Sequence, residues 1–331
     1  RVRGFGNVAP VFTLPETFVA RLGPNSGAYI YSGTYTDSGY KIGFIRIPSF
    51  PSSFFASSSL LRQLDTEIDY MRRNTDGLVV DVMRNPGGSV CLTNDVLRRF
   101  IPHPFVTVGD EFRPTWEIVQ QFRYDLLDGI DFGASPWEII MLQAFLKDIE
   151  TAYYEFRGRT GLIPACGFSL DIYPLTDSAG NPTAYDKPIV TLIDEFSTSS
   201  ADVFPAILQD AGRSLLVGQP TAGGGGLSLE KTLGLYSETS ASLSITLGVR
   251  PVPRTAPGLP ESPYIENIGA QPDIPLDIMT EENLLNSSKP FVAGFTRAAV
   301  AHIERSRQTT ESPAVPLIPP ASAKPWRADR R

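Results

Sequence analysis

The run Asp76-Gly77-Leu78-Val79-Val80-Asp81-Val82-Met83-Arg84-Asn85-Pro86-Gly87-Gly88 decides how the rest of this 331-residue chain is read. Leu78 to Val82 is nearly continuous in apolar residues, the pattern of a strand buried on both faces. Two glycines end it, and a helical pattern follows from about Val90 to Phe100. At such a strand–glycine–helix junction, backbone N–H groups can approach a ligand closely and can bind a developing oxyanion. A tight turn needing φ > 0 accounts for the same glycines by itself.

Outward from this run the same rhythm recurs. Gly43-Phe44-Ile45-Arg46-Ile47 reads as a strand ended by Pro48, and Ser58 to Arg73 has apolar residues at helical spacing. Further on, Pro188 to Ile193 reads as a strand, Phe196 to Ser200 as a polar turn, Ala201 to Ala211 as a helix and Leu215 to Gly218 as a strand. Strand and helix in alternation predict an α/β domain. Two aromatic-rich amphipathic stretches, about Trp116–Leu127 and Trp137–Phe156, predict a helical insert over about 115–160, and 161–186 reads as irregular. A glycine-rich turn at Thr221–Gly226 precedes two strand-like runs, around 227–236 and 243–249, and a last helix at about Phe291–Ile303. The expected organisation is an entry segment or β-hairpin over 1–40, lying outside the core, one catalytic domain over 41–305, and a flexible proline-rich tail over 306–331.

Composition excludes several classes. With 42% hydrophobic and 20% charged residues the chain is ordinary for a globular protein. A net charge of −7 leaves no basic stripe for phosphates, so nucleic acid is not expected as a partner. No apolar run is long enough to span a bilayer. Neither C-x-x-C nor H-E-x-x-H occurs, and His103 and His302 are the only histidines, so neither a metal nor another cofactor is expected. Cys91 and Cys166 are expected to be two unrelated buried thiols rather than one bridge. Arg1-Val2-Arg3-Gly4-Phe5-Gly6 lacks an initiator methionine and an apolar signal core, so the chain is expected to be cut from something longer.

Two further segments carry candidate chemistry. In Ile193-Asp194-Glu195-Phe196-Ser197-Thr198-Ser199-Ser200-Ala201-Asp202-Val203-Phe204-Pro205, a serine at a strand-to-helix junction can project its hydroxyl beyond the sheet edge. The next N–H, from Ser200, sits where the helix dipole favours negative charge. Serines before a helix also serve as ordinary N-caps. In Tyr264-Ile265-Glu266-Asn267-Ile268-Gly269-Ala270-Gln271-Pro272-Asp273-Ile274, a carboxylate could orient an imidazole, or could be a solvated loop glutamate.

Taken together, D-G-L-V-V-D-x-x-x-N-P-G-G, S-x-S-S-A-D and Q-D-A-G-R-x-L-L-V-G resemble the tail-specific, or C-terminal processing, serine proteases. Asp202-Val203-Phe204-Pro205, Thr221-Ala222-Gly223-Gly224-Gly225 and Ile265-Glu266-Asn267-Ile268-Gly269 are more similar to the branch of the chlamydial protease-like activity factor and its homologues. The likeness runs from about residue 1 to about residue 300 and is weakest in the helical insert. It implies a ClpP/crotonase-like ββα spiral core with a helical insertion. It also implies a peptidase acting on protein or peptide substrates.

The branch decides the mechanism. Tail-specific proteases with a Ser–Lys dyad carry the lysine in a G-K-G turn, where this chain has Gly224; Lys231 lies further on, in an expected strand. The other branch uses Ser, His and Glu. Carried over by position, the resemblance implies Ser199 as nucleophile, Glu266 as the acid, and Gly87, Gly88 and Ser200 as oxyanion-hole donors. The histidine does not carry over. It is expected in an N-terminal part of the same precursor, upstream of this chain, with His103 and His302 structural or on the surface. Without that part the chain would be inactive. The aromatic insert could wall a substrate groove or form a homodimer face, with ordinary helix packing the plainer explanation. Relatives suggest a secreted or periplasmic location. Two rival readings are a peptide-binding module or inactive homologue, and an acyl-CoA enzyme of the crotonase type, which would need neither the serine nor the Glu266 loop.

Overall fold

The computed structural model describes residues 5–311 apart from 26, 233 and 235–238. In chain order, β1 (Val19–Leu22), β2 (Tyr31–Asp37) and β3 (Tyr40–Arg46) lead to α1 (Phe54–Asn74), β4 (Gly77–Asp81) and α2 (Val90–Leu97). Short strands β5 (Phe105–Val106) and β6 (Gly109–Phe112) precede the helix pair α3 (Trp116–Asp131) and α4 (Pro136–Tyr154), then β7 (Ile163–Pro164) and β8 (Asp171–Ile172). Next come β9 (Ile189–Ile193), α5 (Ser200–Asp210) and β10 (Ser214–Gly218). The chain continues through β11 (Ser228–Thr232), β12 (Ser240–Ser244), β13 (Thr246–Arg254), β14 (Ser262–Tyr264), β15 (Ile274–Pro275), α6 (Glu281–Leu285) and α7 (Lys289–Glu311).

The main sheet has the order β1-β2-β3-β4-β9-β10-β15. Strands β3, β4, β9, β10 and β15 run parallel, and β1 and β2 join antiparallel at one edge. β4 is buried along its whole length, and its side chains alternate between two cores. Leu78 and Val80 pack with α1, α2 and α5, whereas Val79 packs with Phe291, Phe295 and Ile303 of α7. Helices on both faces explain why no polar residue interrupts Leu78–Val80. α1 starts where Ser53 caps the Ala56 N–H, four residues before the expected start at Ser58.

Two expectations need correction. Residues before 41 reach the core: Phe12, Ile30 and Tyr35 are buried, and the β2–β3 hairpin is part of the main sheet rather than an appendage. Their glycine-, serine- and tyrosine-rich composition hid this, because Ser32, Gly33 and Thr34 are buried in β2 beside its apolar neighbours. Cys91 and Cys166 form a disulfide, with Cα atoms 5.2 Å apart, rather than two separate thiols. Pairing of β5 with β8 folds the 161–172 segment back beside α2, a long-range event that spacing in sequence does not reveal. Closing a loop of that length contributes roughly 4 kcal/mol in the chain-entropy picture.

The helical pair is as the aromatic pattern predicts. α3 and α4 pack on each other and on a small core of Phe112, Ile118, Val119, Ile149 and Ile163. Ser135 and Glu138 make a reciprocal capping box at the start of α4. α7 runs to Glu311, past the expected tail start at Ser306; the rest of that tail, 312–331, lies outside the described residues.

Candidate active site

Ser199 and the Gly87-Gly88 turn lie at the C-terminal ends of two adjacent parallel strands, β9 and β4. In open α/β sheets that edge is where ligands bind. Arg46, fully buried, donates to Asp81 and to the Met83 carbonyl and so braces the exit from β4. The Asn85 side chain holds the turn on two sides: its Nδ2 donates to the Ile47 carbonyl, and its Oδ1 accepts the Gly87 N–H at 2.7 Å.

Both glycines are required by space. A Cβ on Gly87 would stand 2.6 Å from the Ser199 Cβ, and one on Gly88 would stand 1.7 Å from the Phe50 carbonyl oxygen. Both also have positive φ. Gly87 therefore lets the Ser199 turn approach, while its own N–H is taken by Asn85. The Gly88 and Ser200 N–H groups take part in none of the described hydrogen bonds.

The serines around the turn have different fates. Ser197 is buried and donates to the Val82 carbonyl and to Asp194. Ser200 is buried and donates to the Gly88 carbonyl, which stitches the two turns together. Ser199 occupies the N-cap position of α5 yet makes no capping bond, at φ 59 and ψ −122. A non-glycine residue held there is strained by about 1–3 kcal/mol. The N-cap explanation therefore does not apply to Ser199, which is half-buried and whose hydroxyl takes part in none of the described hydrogen bonds.

Glu266 follows β14 and faces the glycine loop 221–226 from the other side. Its Oε2 accepts the Gly226 N–H at 2.9 Å, and its Oε1 accepts the Ser244 hydroxyl at 3.1 Å. The loop is a spacer between two walls. A Cβ on Gly224 would lie 2.7 Å from Thr198 Oγ1, and one on Gly225 would lie 2.5 Å from Ile265 Cγ2. Ser199 and Glu266 thus flank one loop, on its opposite sides. A side chain at 224 would also displace Thr198. Lys231 sits in β11, opposite Ala241.

The histidines are elsewhere. His103 is exposed and lies with Asp210 and Ala211 at the far end of α5, about 15 Å of helix from Ser199. His302 is in α7, next to Ile303, which packs on Gly77 at the start of β4, the opposite edge of the sheet. Burial, with Arg305 adding, holds its imidazole below the ordinary value.

One residue of the site was not singled out from sequence. Asp202, in the first turn of α5, is fully buried and accepts the N–H groups of Gly223 and Gly224 at 2.8 and 3.0 Å. Burial pushes its pKa up to about 6, against the pull of the loop N–H groups. Its signal in the sequence is the spacing Ser199-x-x-Asp202, which reads as a capping box. Among the described residues no group of His, Cys, Asp and Glu is arranged to hold a metal ion, and no helix is long and apolar enough to cross a membrane.

Residues 41–276 match peptidase family S41, most of the chain and both walls of the site. The chain belongs to peptidase family S41. That is a family of serine-type peptidases, which are hydrolases. A protein of Chlamydia pneumoniae is 26% identical over 308 residues, 85% of this chain and 47% of that protein. One of Chlamydia trachomatis serovar D is 30% identical over 278 residues, 75% of this chain and 43% of that protein. The chain therefore spans under half the length of these curated relatives. Among solved structures, mature CPAF complexed with lactacystin shares the fold, with a TM-score of 0.69 and 23% identity over 92% of this chain and 61% of that one.

Proposed function

We propose that this chain is the catalytic part of a serine endopeptidase whose Ser-His-Glu triad draws its histidine from an upstream part of the same precursor. The observation that carries the reading is Ser199: strained, uncapped, and across the glycine loop from Glu266. Ser199 Oγ attacks a peptide carbonyl carbon while the imidazole takes the hydroxyl proton, and Glu266 holds the ring in the correct tautomer, directly or through a water. The carbonyl oxygen becomes an oxyanion held by the N–H groups of Ser200 and Gly88, with Gly87 giving way sterically to the serine. The tetrahedral intermediate collapses, the imidazolium gives its proton to the leaving amine, and an acyl-enzyme forms. Water then attacks the ester by the same steps and frees Ser199. Each oxyanion donor contributes about 3 kcal/mol.

The partners on this reading are a protein or peptide substrate, the histidine-bearing part of the precursor, and a second copy through the aromatic insert. The finer fold assignment, a ClpP/crotonase-like ββα spiral, belongs to the same proposal, as does the division into 1–40, 41–305 with an insert at about 115–160, and 306–331. A secreted or periplasmic location is favoured by the Cys91–Cys166 bridge, since such bonds persist in oxidising compartments.

The test uses the isolated chain and the full-length protein side by side on an unstructured protein substrate. The isolated chain is expected to show negligible turnover, the upstream part added in trans to restore it, and Ser199→Ala in the full-length protein to abolish it. Substantial hydrolysis by the pure isolated chain would overturn the upstream histidine. Peptide binding without cleavage by the full-length protein would instead favour a binding module.

A further inference from the structure

We propose that Asp202 is a positioning residue: by gripping the glycine loop 221–226 from the first turn of α5, it fixes how far the Ser199 turn stands from Glu266. This rests on the reading of Ser199 and Glu266 given above. The competing explanation is a helix cap. In a capping box the acid at the third helical position accepts the N-cap N–H while the N-cap hydroxyl bonds back. Here Ser199 makes no side-chain capping bond. A cap would also have no use for donors outside the helix. The Gly223 and Gly224 N–H groups, one on each carboxylate oxygen, come from the loop.

The loop carries the grip across the site. The Gly223 carbonyl accepts the Asn267 N–H at 2.7 Å, next to Glu266, and the Gly226 N–H donates to Glu266 itself. A hydrogen-bonded path therefore runs from the Ser199 carbonyl, which accepts the Asp202 N–H at 2.7 Å, through the Asp202 carboxylate and the loop to the acid. It has little slack, because a Cβ on Gly223 would stand 2.8 Å from the Ile268 N and one on Gly224 would stand 2.7 Å from Thr198 Oγ1. A buried carboxylate is costly to keep, and burial here raises its pKa to about 6, so a plain cap would be cheaper as a neutral residue. Misplacing catalytic groups by about 1 Å costs on the order of 10²-fold in rate.

The experiment compares Asp202→Asn with the unsubstituted full-length protein by peptide hydrolysis and by amide hydrogen exchange. The expected result is a fall in kcat of about 10²-fold with KM changed less than about threefold. Exchange should quicken at 198–200 and 221–226 while β4 and β9 keep their protection. Gly224→Ala, which pushes the loop off Thr198 with Asp202 intact, should give the same kcat signature. An unchanged kcat, or a loss that comes with lost protection throughout β4 and β9, would overturn the proposal. Ser199→Ala keeps the two claims apart: if hydrolysis does not depend on Ser199 the triad fails, and the exchange rates alone then decide whether Asp202 ties the turn to the loop, unchanged rates meaning that it does not.

Discussion

Around Ser199 the polar side chains are buried and bonded, whereas along the α3–α4 pair large aromatic side chains stand in solvent. Ser197, Ser200, Asn85 and Asp202 are all fully buried, each with named partners. Phe132 and Phe156, at the ends of the two insert helices, are 87% and 93% exposed. The difference shows how each region tolerates change. The sheet edge is specified atom by atom, so small substitutions there should be felt strongly. The helix pair is held by a small core, so its surface can vary at little cost to the fold.

Four substitutions or conditions would break or sharpen that contrast. The largest effect is expected from Gly88→Ala, whose Cβ would collide with the Phe50 carbonyl at a positive φ. Denaturant unfolding should show a loss of about 4 kcal/mol or more, with peptidase activity gone. Next, Cys91→Ser should cost about 2–4 kcal/mol by the same measurement under oxidising conditions, and nothing further once a reductant is present in both samples.

A pH effect follows in size. Burial raises both Asp110 and Asp202 from the usual carboxylate value to about 6. A carboxyl whose folded pKa lies above its unfolded one contributes stability that is complete below the unfolded value and is lost as pH rises through the folded one. The melting temperature should therefore fall between about pH 4 and pH 6. Asp110→Asn, which keeps an acceptor for the Thr246 hydroxyl, should remove part of that slope, on the order of 3 kcal/mol. The smallest effect is expected from Phe132→Ser, within about 0.5 kcal/mol in stability; a loss as large as that at Gly88 would erase the contrast between the two regions.

The strand–glycine–helix rhythm was legible because a strand buried on both faces leaves an uninterrupted apolar run, as in Leu78–Val80, and because Gly87 and Gly88 end it. The insert helices were legible from aromatic spacing. The hairpin over 31–46 was not seen as core, since Ser32, Gly33 and Thr34 are buried there among its apolar residues and break the apolar pattern. The Cys91–Cys166 bridge and the grip of Asp202 on Gly223 and Gly224 depend on contacts between segments far apart in the chain, which local pattern does not encode. What distinguishes Ser199 from Ser197 and Ser200 is backbone conformation and hydrogen bonding, and in sequence the three look alike.

That distinction is also where the account is most exposed. Treating the full-length protein with a fluorophosphonate and mapping the adduct by mass spectrometry reads it directly. The adduct is expected on Ser199 alone, with labelling slowed by Glu266→Gln. An adduct on Ser197 or Ser200, or none in a preparation that cleaves peptides, would contradict it.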